Sequence, residues 1–435
     1  MIHRREFINK SALLAGSFSF LKLSDPLFAA VLNDKVEKIK HLTPEESAVD
    51  EDFWSWIRES YTVSSTIINF NNGAVSPQPK VVQDAHIRNY QLCNEAPSYY
   101  MWKILDQGRE PLRAQLAELA GCSAEEIAIN RNSTEGLNTI IFGLNLKAGD
   151  EVVLCKYDYP NMMKAWKQRE KRDGIKLVWV DLTLPLENAD EIVSMYSNAI
   201  TSKTKIVHIT HVLNWTGQIM PARALVDMAH AKGCEVIVDG AHSFAHLDYK
   251  IPDLDCDYFA TSLHKWLCAP FGSGMMYIKK EKIKKIWALL SNTEPDGEDI
   301  RKFESLGTRS FASEMAIGNA IEFHKLIGIK RKEARLRFLK NYWVDKVKHL
   351  PNIKFNTSLL PAFSAALFSF SVKDWKATEL EAKLFEKKKI HTTASEYEKL
   401  NGVRVTPQVY TSLYELDRLV EGIEEIAGMS PPIRK

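Results

Sequence analysis

The sequence predicts an α/β protein: a large domain built on a mostly parallel seven-stranded sheet, followed by a smaller α+β domain. Two observations carry that prediction. Between about residues 80 and 325, the β-rich runs "EIAIN", "EVVLCKY", "KLVWVDL", "KIVHIT", "EVIVDG", "CDYFATS" and "GMMYIK" alternate with stretches of helical periodicity such as "NADEIVSMYSNAI" and "ARALVDMAHAKG". Continuously apolar strands separated by helices belong to a parallel sheet covered on both faces. After about residue 325 the order changes to a long helix ("IEFHKLIGIKRKEARLRFLKNYWVDKV"), strands including "AALFSFSV" and a closing helix ("YELDRLVEGIEEIAG"). With 435 residues, 45% of them hydrophobic, the chain can bury cores of this size.

Taken in order, residues 1–30 carry paired Arg4 and Arg5, then Phe7, Lys10 and an apolar stretch too short to span a bilayer. The pattern is similar to a twin-arginine export signal and predicts a periplasmic protein carried by the twin-arginine machinery. Lys22 in the apolar stretch and the lack of a small residue two positions before Ala29 or Ala30 leave an uncleaved helix and a cytoplasmic protein as the alternative. Residues 31–79, with "EDFWSWIRESY", read as an arm, 80–325 as the large domain and 326–435 as the small one. No later segment is long and apolar enough to span a membrane.

Charge and cysteine usage narrow the function. Fifty-seven basic residues balance 55 acidic ones without a long single-sign block, so the electrostatic footprint of a nucleic-acid binder is missing and the expected partner is a small molecule. The six cysteines have no CxxC spacing and are expected as free thiols without structural disulfides. "HSFAH" and "HITH" pair His242 with His246 and His208 with His211, but the first lacks the Glu of HExxH and leaves a strand rather than riding a helix, so no metal site is expected. No GxGxxG follows a strand, which argues against a nicotinamide enzyme.

Ligands of an open α/β sheet sit at the carboxyl ends of its strands. Four such places hold polar groups in this sequence. In "EIAINRNSTEGL" a helix begins near Ser133 or Thr134: the hydroxyls and free backbone N–H groups suit a phosphate, or one of the two is an ordinary N-cap. "EVIVDGAHS" ends a strand in Asp239, whose carboxylate needs either a cationic partner or a turn to cap. In "TSLHKWLCAPFGSG" Lys265 is a lone cation in an apolar run, either desolvated into a nucleophilic amine or reaching water along its stem. Arg404, between valines in "GVRVTP", suits bidentate capture of a carboxylate or an edge-strand ion pair. Together they supply a phosphate cradle, a carboxylate for a ring nitrogen, a buried amine and a carboxylate clamp, the requirements of pyridoxal 5'-phosphate and an amino acid.

On "HVLNWTGQIMP", "VDGAHS" and "SLHKW", in that order and spacing, the chain resembles the class V aminotransferase family of pyridoxal-phosphate enzymes, of fold type I, and in particular its isopenicillin N epimerase-like and cysteine desulfurase-like members. The resemblance runs from "INFNNGAVSP" to "RVTPQVYTSLYELDRL". It implies that Lys265 forms the internal aldimine and moves the α-proton, Asp239 pairs with the pyridinium nitrogen and His242 contacts the ring hydroxyl. It further implies Tyr159 stacked on the ring, Ser133, Thr134, Ser262 and His264 on the phosphate, and Thr308 reaching the phosphate of a neighbouring subunit in a homodimer. Asn214 and Arg404 would hold the substrate, with Asn72 and Gly73 bordering it. Desulfurases of the family carry a nucleophilic cysteine shortly before the carboxylate-binding Arg, whereas "KKIHTTASEYEKLNGVRV" has none and no cysteine follows Cys268. An epimerase or aminotransferase is therefore expected, with C–S lysis by β-elimination or a non-catalytic exported binding protein as alternatives.

Overall fold

A computed structural model of the chain describes residues 34–432; the twin-arginine signal expected over 1–30 lies outside the described residues. The large sheet consists of β1 (Ile127–Asn130), β2 (Glu151–Cys155), β3 (Lys176–Val180), β4 (Thr204–Thr210), β5 (Glu235–Asp239), β6 (Tyr258–Ser262) and β7 (Gly274–Ile278), in spatial order β1-β7-β6-β5-β4-β2-β3. Each coincides with one of the seven apolar runs, β4 beginning one residue earlier, at Thr204. Only β7 runs against its neighbours; the other pairings are parallel.

Period-two alternation sends each central strand into two cores. Val153, Val207, Ile209, Val236 and Val238 pack on one face, and Val152, Leu154, Ile206 and Ile237 on the other. This double burial is why the strands read as unbroken apolar runs rather than as alternating ones.

The arm folds as α1 (Glu51–Glu59), capped by Asp50, whose carboxylate accepts from Phe53 N; it buries Phe53, Trp54 and Ile57. Helices α2 (Lys80–Glu95), α3 (Ser133–Gly143), α4 (Pro160–Asp173) and α5 (Ala189–Ala199) belong to the large domain. At Gly328, with φ of 81°, α6 (Phe311–Ile327) gives way to α7 (Ile329–Val347); α6 packs on α2, and α7 on α8 (Leu413–Ala427). The small domain's antiparallel sheet has β8 (Ile353–Phe355), β9 (Phe368–Val372), β10 (Thr393–Tyr397) and β11 (Leu400–Val405) in the order β10-β11-β9-β8. Its core joins Leu339, Trp343, Phe368, Phe370, Leu416 and Leu419, and takes in Phe70 from the N-terminal side.

That last contact matters for the site. Ile68–Asn69 pairs in parallel with Ile390–His391, so the segment "NFNNGA" crosses to the small domain and is held between it and the large one. Among the described residues no helix is long and apolar enough to cross a membrane, and all six cysteines are free.

Candidate active site

Ten of the thirteen expected site residues line one cavity of about 320 Å³: Gly73, Ser133, Thr134, Tyr159, Asn214, His242, Ser262, His264, Lys265 and Arg404. Its floor is built from the carboxyl ends of β1, β2, β5 and β6, where an open α/β sheet presents its ligands. A cavity of this size admits one small molecule. A larger cleft, about 1100 Å³, lies instead among residues such as Lys205 and Glu235 at the opening ends of the strands.

The helix α3 points its N-terminus into the cavity. Asn132 is its N-cap, accepting from Glu135 N at 2.8 Å, so neither Ser133 nor Thr134 serves as the cap. The backbone N–H of Ser133 donates to Ser262 Oγ at 2.9 Å, and Ser262 Oγ lies 3.0 Å from Ser133 Oγ, which joins the starts of α3 and of the Lys265 loop. Hydroxyls and N–H groups at a helix start are an anion cradle. His264 Nδ1 lies 2.9 Å from Ser273 O; because a carbonyl only accepts, Nδ1 carries the proton. Burial and the neighbouring Lys265 hold this imidazole down to about 4, so it is neutral until an anion arrives to support its charge.

Burial pushes the Lys265 amine down to about 8, against the pull of Asp239 and with the push of Arg404. A free amine therefore becomes the major form above about pH 8 rather than above the ordinary 10.5. The rate of imine formation with added aldehyde is expected to rise with pH and level off just above pH 8; a profile that climbs only beyond pH 10 in rapid-mixing spectra would overturn this. Lys265 Nζ lies 3.3 Å from His242 Nε2, and Trp266 Nε1 donates to His242 Nδ1 at 3.4 Å. With Nδ1 accepting, the His242 proton sits on Nε2 and faces the cavity. His242 is held well below its usual range, first by burial and then by Lys265 and Arg404.

Asp239 is buried at the end of β5, beneath the cavity lining; its Oδ1 accepts from Ala241 N at 2.9 Å. Burial raises its carboxyl, opposed by that N–H and by Lys265. A cationic nitrogen beside it is what would hold it ionised. Gly73 faces His242 from the N-terminal segment: a Cβ there would sit 3.4 Å from His242 Cε1 and 3.0 Å from Thr406 Cγ2.

Arg404 occupies an interior strand, β11, between Thr393 and Ser369, which removes the edge-strand ion-pair reading. Its Nη1 donates to Asn214 O at 2.8 Å and its Nη2 to Asn71 Oδ1 at 2.9 Å, while the buried Nε has no partner. Burial lowers the guanidinium to about 10. A buried cation held by neutral acceptors alone is short of a counter-charge.

Three expectations are corrected or completed here. Asn72 does not face the substrate: its Nδ2 donates to Asn69 O and Thr406 O, and its Oδ1 accepts from Tyr410 Oη at 2.7 Å, so every polar group is committed within the protein. Asn71 is the residue of that pair that reaches Arg404; in "FNNG" the composition could not choose between two adjacent asparagines. Thr308 is exposed and outside its own chain's cavity. Trp266, which sets the His242 proton, carried no signal beyond its place in "SLHKW". His246, considered as a metal ligand, has Nδ1 against His242 O at 2.7 Å and Nε2 accepting from Ala366 N at 3.1 Å, and stacks on Trp266, so it has no lone pair to offer.

The donor set fits pyridoxal 5'-phosphate: an amine, a buried carboxylate awaiting a cation, an anion cradle and an unsatisfied guanidinium converge on one cavity. These are the elements of a pyridoxal-phosphate-dependent enzyme of fold type I. Residues 68–415 match the family described as Aminotransferase class-V, and the chain belongs to that family. It is 27% identical over 402 residues to isopenicillin N epimerase of Streptomyces clavuligerus, covering 86% of this chain and 98% of that one. It is 28% identical over 394 residues to a probable cysteine desulfurase of Halalkalibacterium halodurans, covering 83% and 93%. In fold it is similar to C-DES, a cystine C–S lyase solved with glycine covalently linked to the PLP cofactor, at a TM-score of 0.76 and 21% identity over 86% of this chain and 99% of that one.

Proposed function

We propose that the protein acts on a free amino acid, moving its α-proton as an epimerase or its amino group as an aminotransferase. The observation that carries this reading is Arg404: a buried guanidinium with an unpartnered Nε, in the same cavity as the Lys265 amine, is the right group for an α-carboxylate. Pyridoxal 5'-phosphate, when bound, supplies the electron sink that makes the bonds at the α-carbon labile.

The chain's own residues then divide the work. Lys265 would hold the cofactor's aldehyde and, once the substrate's amine has displaced it, would take up the α-proton, for which an amine poised near 8 is well matched. Asp239 would keep the ring nitrogen protonated. His242 would offer its Nε2 proton to the ring oxygen, in the tautomer that Trp266 sets. Ser133, Thr134, Ser262 and His264 would hold the phosphate, Tyr159 would border the ring, and Arg404 with Asn214 would hold the carboxylate. Thr308 reaches the phosphate of a second copy in a homodimer; the exposed Tyr99, Trp102 and Phe271 support such an interface. Export of the folded protein by the twin-arginine route belongs to the same proposal, and an intact Met1 in the cytosolic fraction would sink that part.

The likeness to desulfurases does not extend to their chemistry on this reading. No cysteine follows Cys268, and the stretch ahead of Arg404 is the β10–β11 hairpin, whose Tyr397 ring stacks on Trp215 at 4.7 Å. β-Elimination needs no such cysteine and is the second reading. Incubation of the cofactor-loaded protein with an amino-acid panel in deuterated water separates the outcomes. Deuterium uptake with inversion or keto-acid formation is expected; ammonia with sulfide would favour lysis, and no spectral change with any amino acid would overturn the catalytic reading.

A further inference from the structure

Asp239 is not the only carboxyl at this strand end. Asp158 lies in the turn after β2, immediately before Tyr159, and is fully buried. Its Oδ1 accepts from the Thr210 hydroxyl at 2.7 Å, and its Oδ2 accepts from Cys155 N at 2.7 Å. Thr210 closes β4 and is the register partner of Asp239 on β5, so the two carboxyls flank one strand end.

The groups that face Asp158 are neutral or acidic. They are the Thr210 hydroxyl from β4, the Asp239 carboxyl from β5, the Cys155 thiol, the Tyr196 phenol from α5 and the Tyr397 phenol from β10. Two buried carboxyls in such a setting do not ionise independently: each negative charge raises the cost of the other. Burial, offset by the two donors and reinforced by Asp239, brings Asp158 up to about 7.

We propose that Asp158 is a positioning residue for Asp239, holding the β4 end through Thr210 and setting by its own protonation how firmly Asp239 retains a protonated ring nitrogen. This rests on the reading of Asp239 as the ring-nitrogen partner. The sign follows from Coulomb's law. With Asp158 neutral, the pair carries one negative charge. As pH rises, Asp158 gives its proton to the bulk, the pair carries two, and a cationic ring nitrogen beside them is held more strongly. The ring therefore keeps its proton over the range in which rising pH would otherwise remove it.

The test uses the full chain with carboxyl-¹³C aspartate, titrated by NMR first without and then with ¹⁵N-labelled pyridoxal 5'-phosphate. Without cofactor, one aspartate is expected to titrate at about pH 7, to vanish in Asp158→Asn, and to move down by roughly one pH unit in Asp239→Asn as the like charge is removed. Thr210→Val, which removes one donor and no charge, should move it up. With cofactor, the ring nitrogen of Asp158→Asn should lose its proton at lower pH than in the parent. The proposal is overturned if no carboxyl near pH 7 disappears in Asp158→Asn, if Asp239→Asn or Thr210→Val leaves that carboxyl unmoved, or if the loaded variant keeps the ring proton as long as the parent. Should the chain bind no pyridoxal 5'-phosphate, the reading of the site fails, while the cofactor-free titration still decides the coupling of the two carboxyls.

Discussion

Lys265→Ala is expected to leave a folded protein that no longer retains cofactor after borohydride reduction and is slower by at least about 10³-fold with any amino acid. Lys265 is the one lysine lining the cavity, and burial brings its amine down to about 8, so a reactive fraction of it is free near neutral pH. His242, 3.3 Å away, cannot replace it: an imidazole forms no stable imine, and its proton is held on Nε2 by the Trp266 donor at Nδ1. Asp239, the α3 N-terminus and Arg404 all survive the substitution, so reversible binding of the cofactor remains possible and colour alone is a poor readout. Intact mass after reduction is the discriminating one. The parent should gain one cofactor and the variant none; a variant that gains it would refute the assignment of Lys265.

Arg404→Met is expected to lower kcat/KM for amino acids by about 10²-fold or more, the usual cost of removing one partner from a buried, hydrogen-bonded charge pair. An amine of the same side chain without the carboxylate should be nearly indifferent to the change, and that contrast separates a carboxylate clamp from a merely structural role. Arg404→Lys keeps the charge but loses the fork that donates to Asn214 O and Asn71 Oδ1, and should fall between the two. Stability points the other way. In the ligand-free protein Arg404 is a buried cation with only neutral partners, so Arg404→Met should leave the melting temperature unchanged or raised. A large drop in melting temperature, or an equal loss with the carboxylate-free amine, would show that Arg404 serves the fold.

Much of this was readable in the residues because the signals are local. "EVVLCKY" and "EVIVDG" became β2 and β5 since the middle of a strand buried on both faces is apolar at successive positions. Asp239, His242, Ser262 and Lys265 could be picked out because they stand at or just past strand ends, where an α/β sheet places its ligands. Asn71 and Asn72 show where such reasoning stops. Two identical neighbours in a chain segment point different ways, and only the pairing of Ile68–Asn69 with Ile390–His391 decides that Asn71 meets Arg404 while Asn72 is used up on Asn69, Thr406 and Tyr410.

The sequence by itself determined the strand and helix order, the amine, carboxylate and anion cradle at the strand ends, and the absence of a cysteine ahead of Arg404. These depend on periodicity and on which residue follows which strand. Only the tertiary structure decided that Arg404 has no acid of its own, that Trp266 holds the His242 proton on Nε2, and that Asp158 stands beside Asp239 through Thr210. Burial and counter-charge are properties of what surrounds a group, and its surroundings come from other segments, from 24 residues away for Trp266 and His242 to 333 for Arg404 and Asn71. Local pattern can name the ionisable groups; the packing sets their charge.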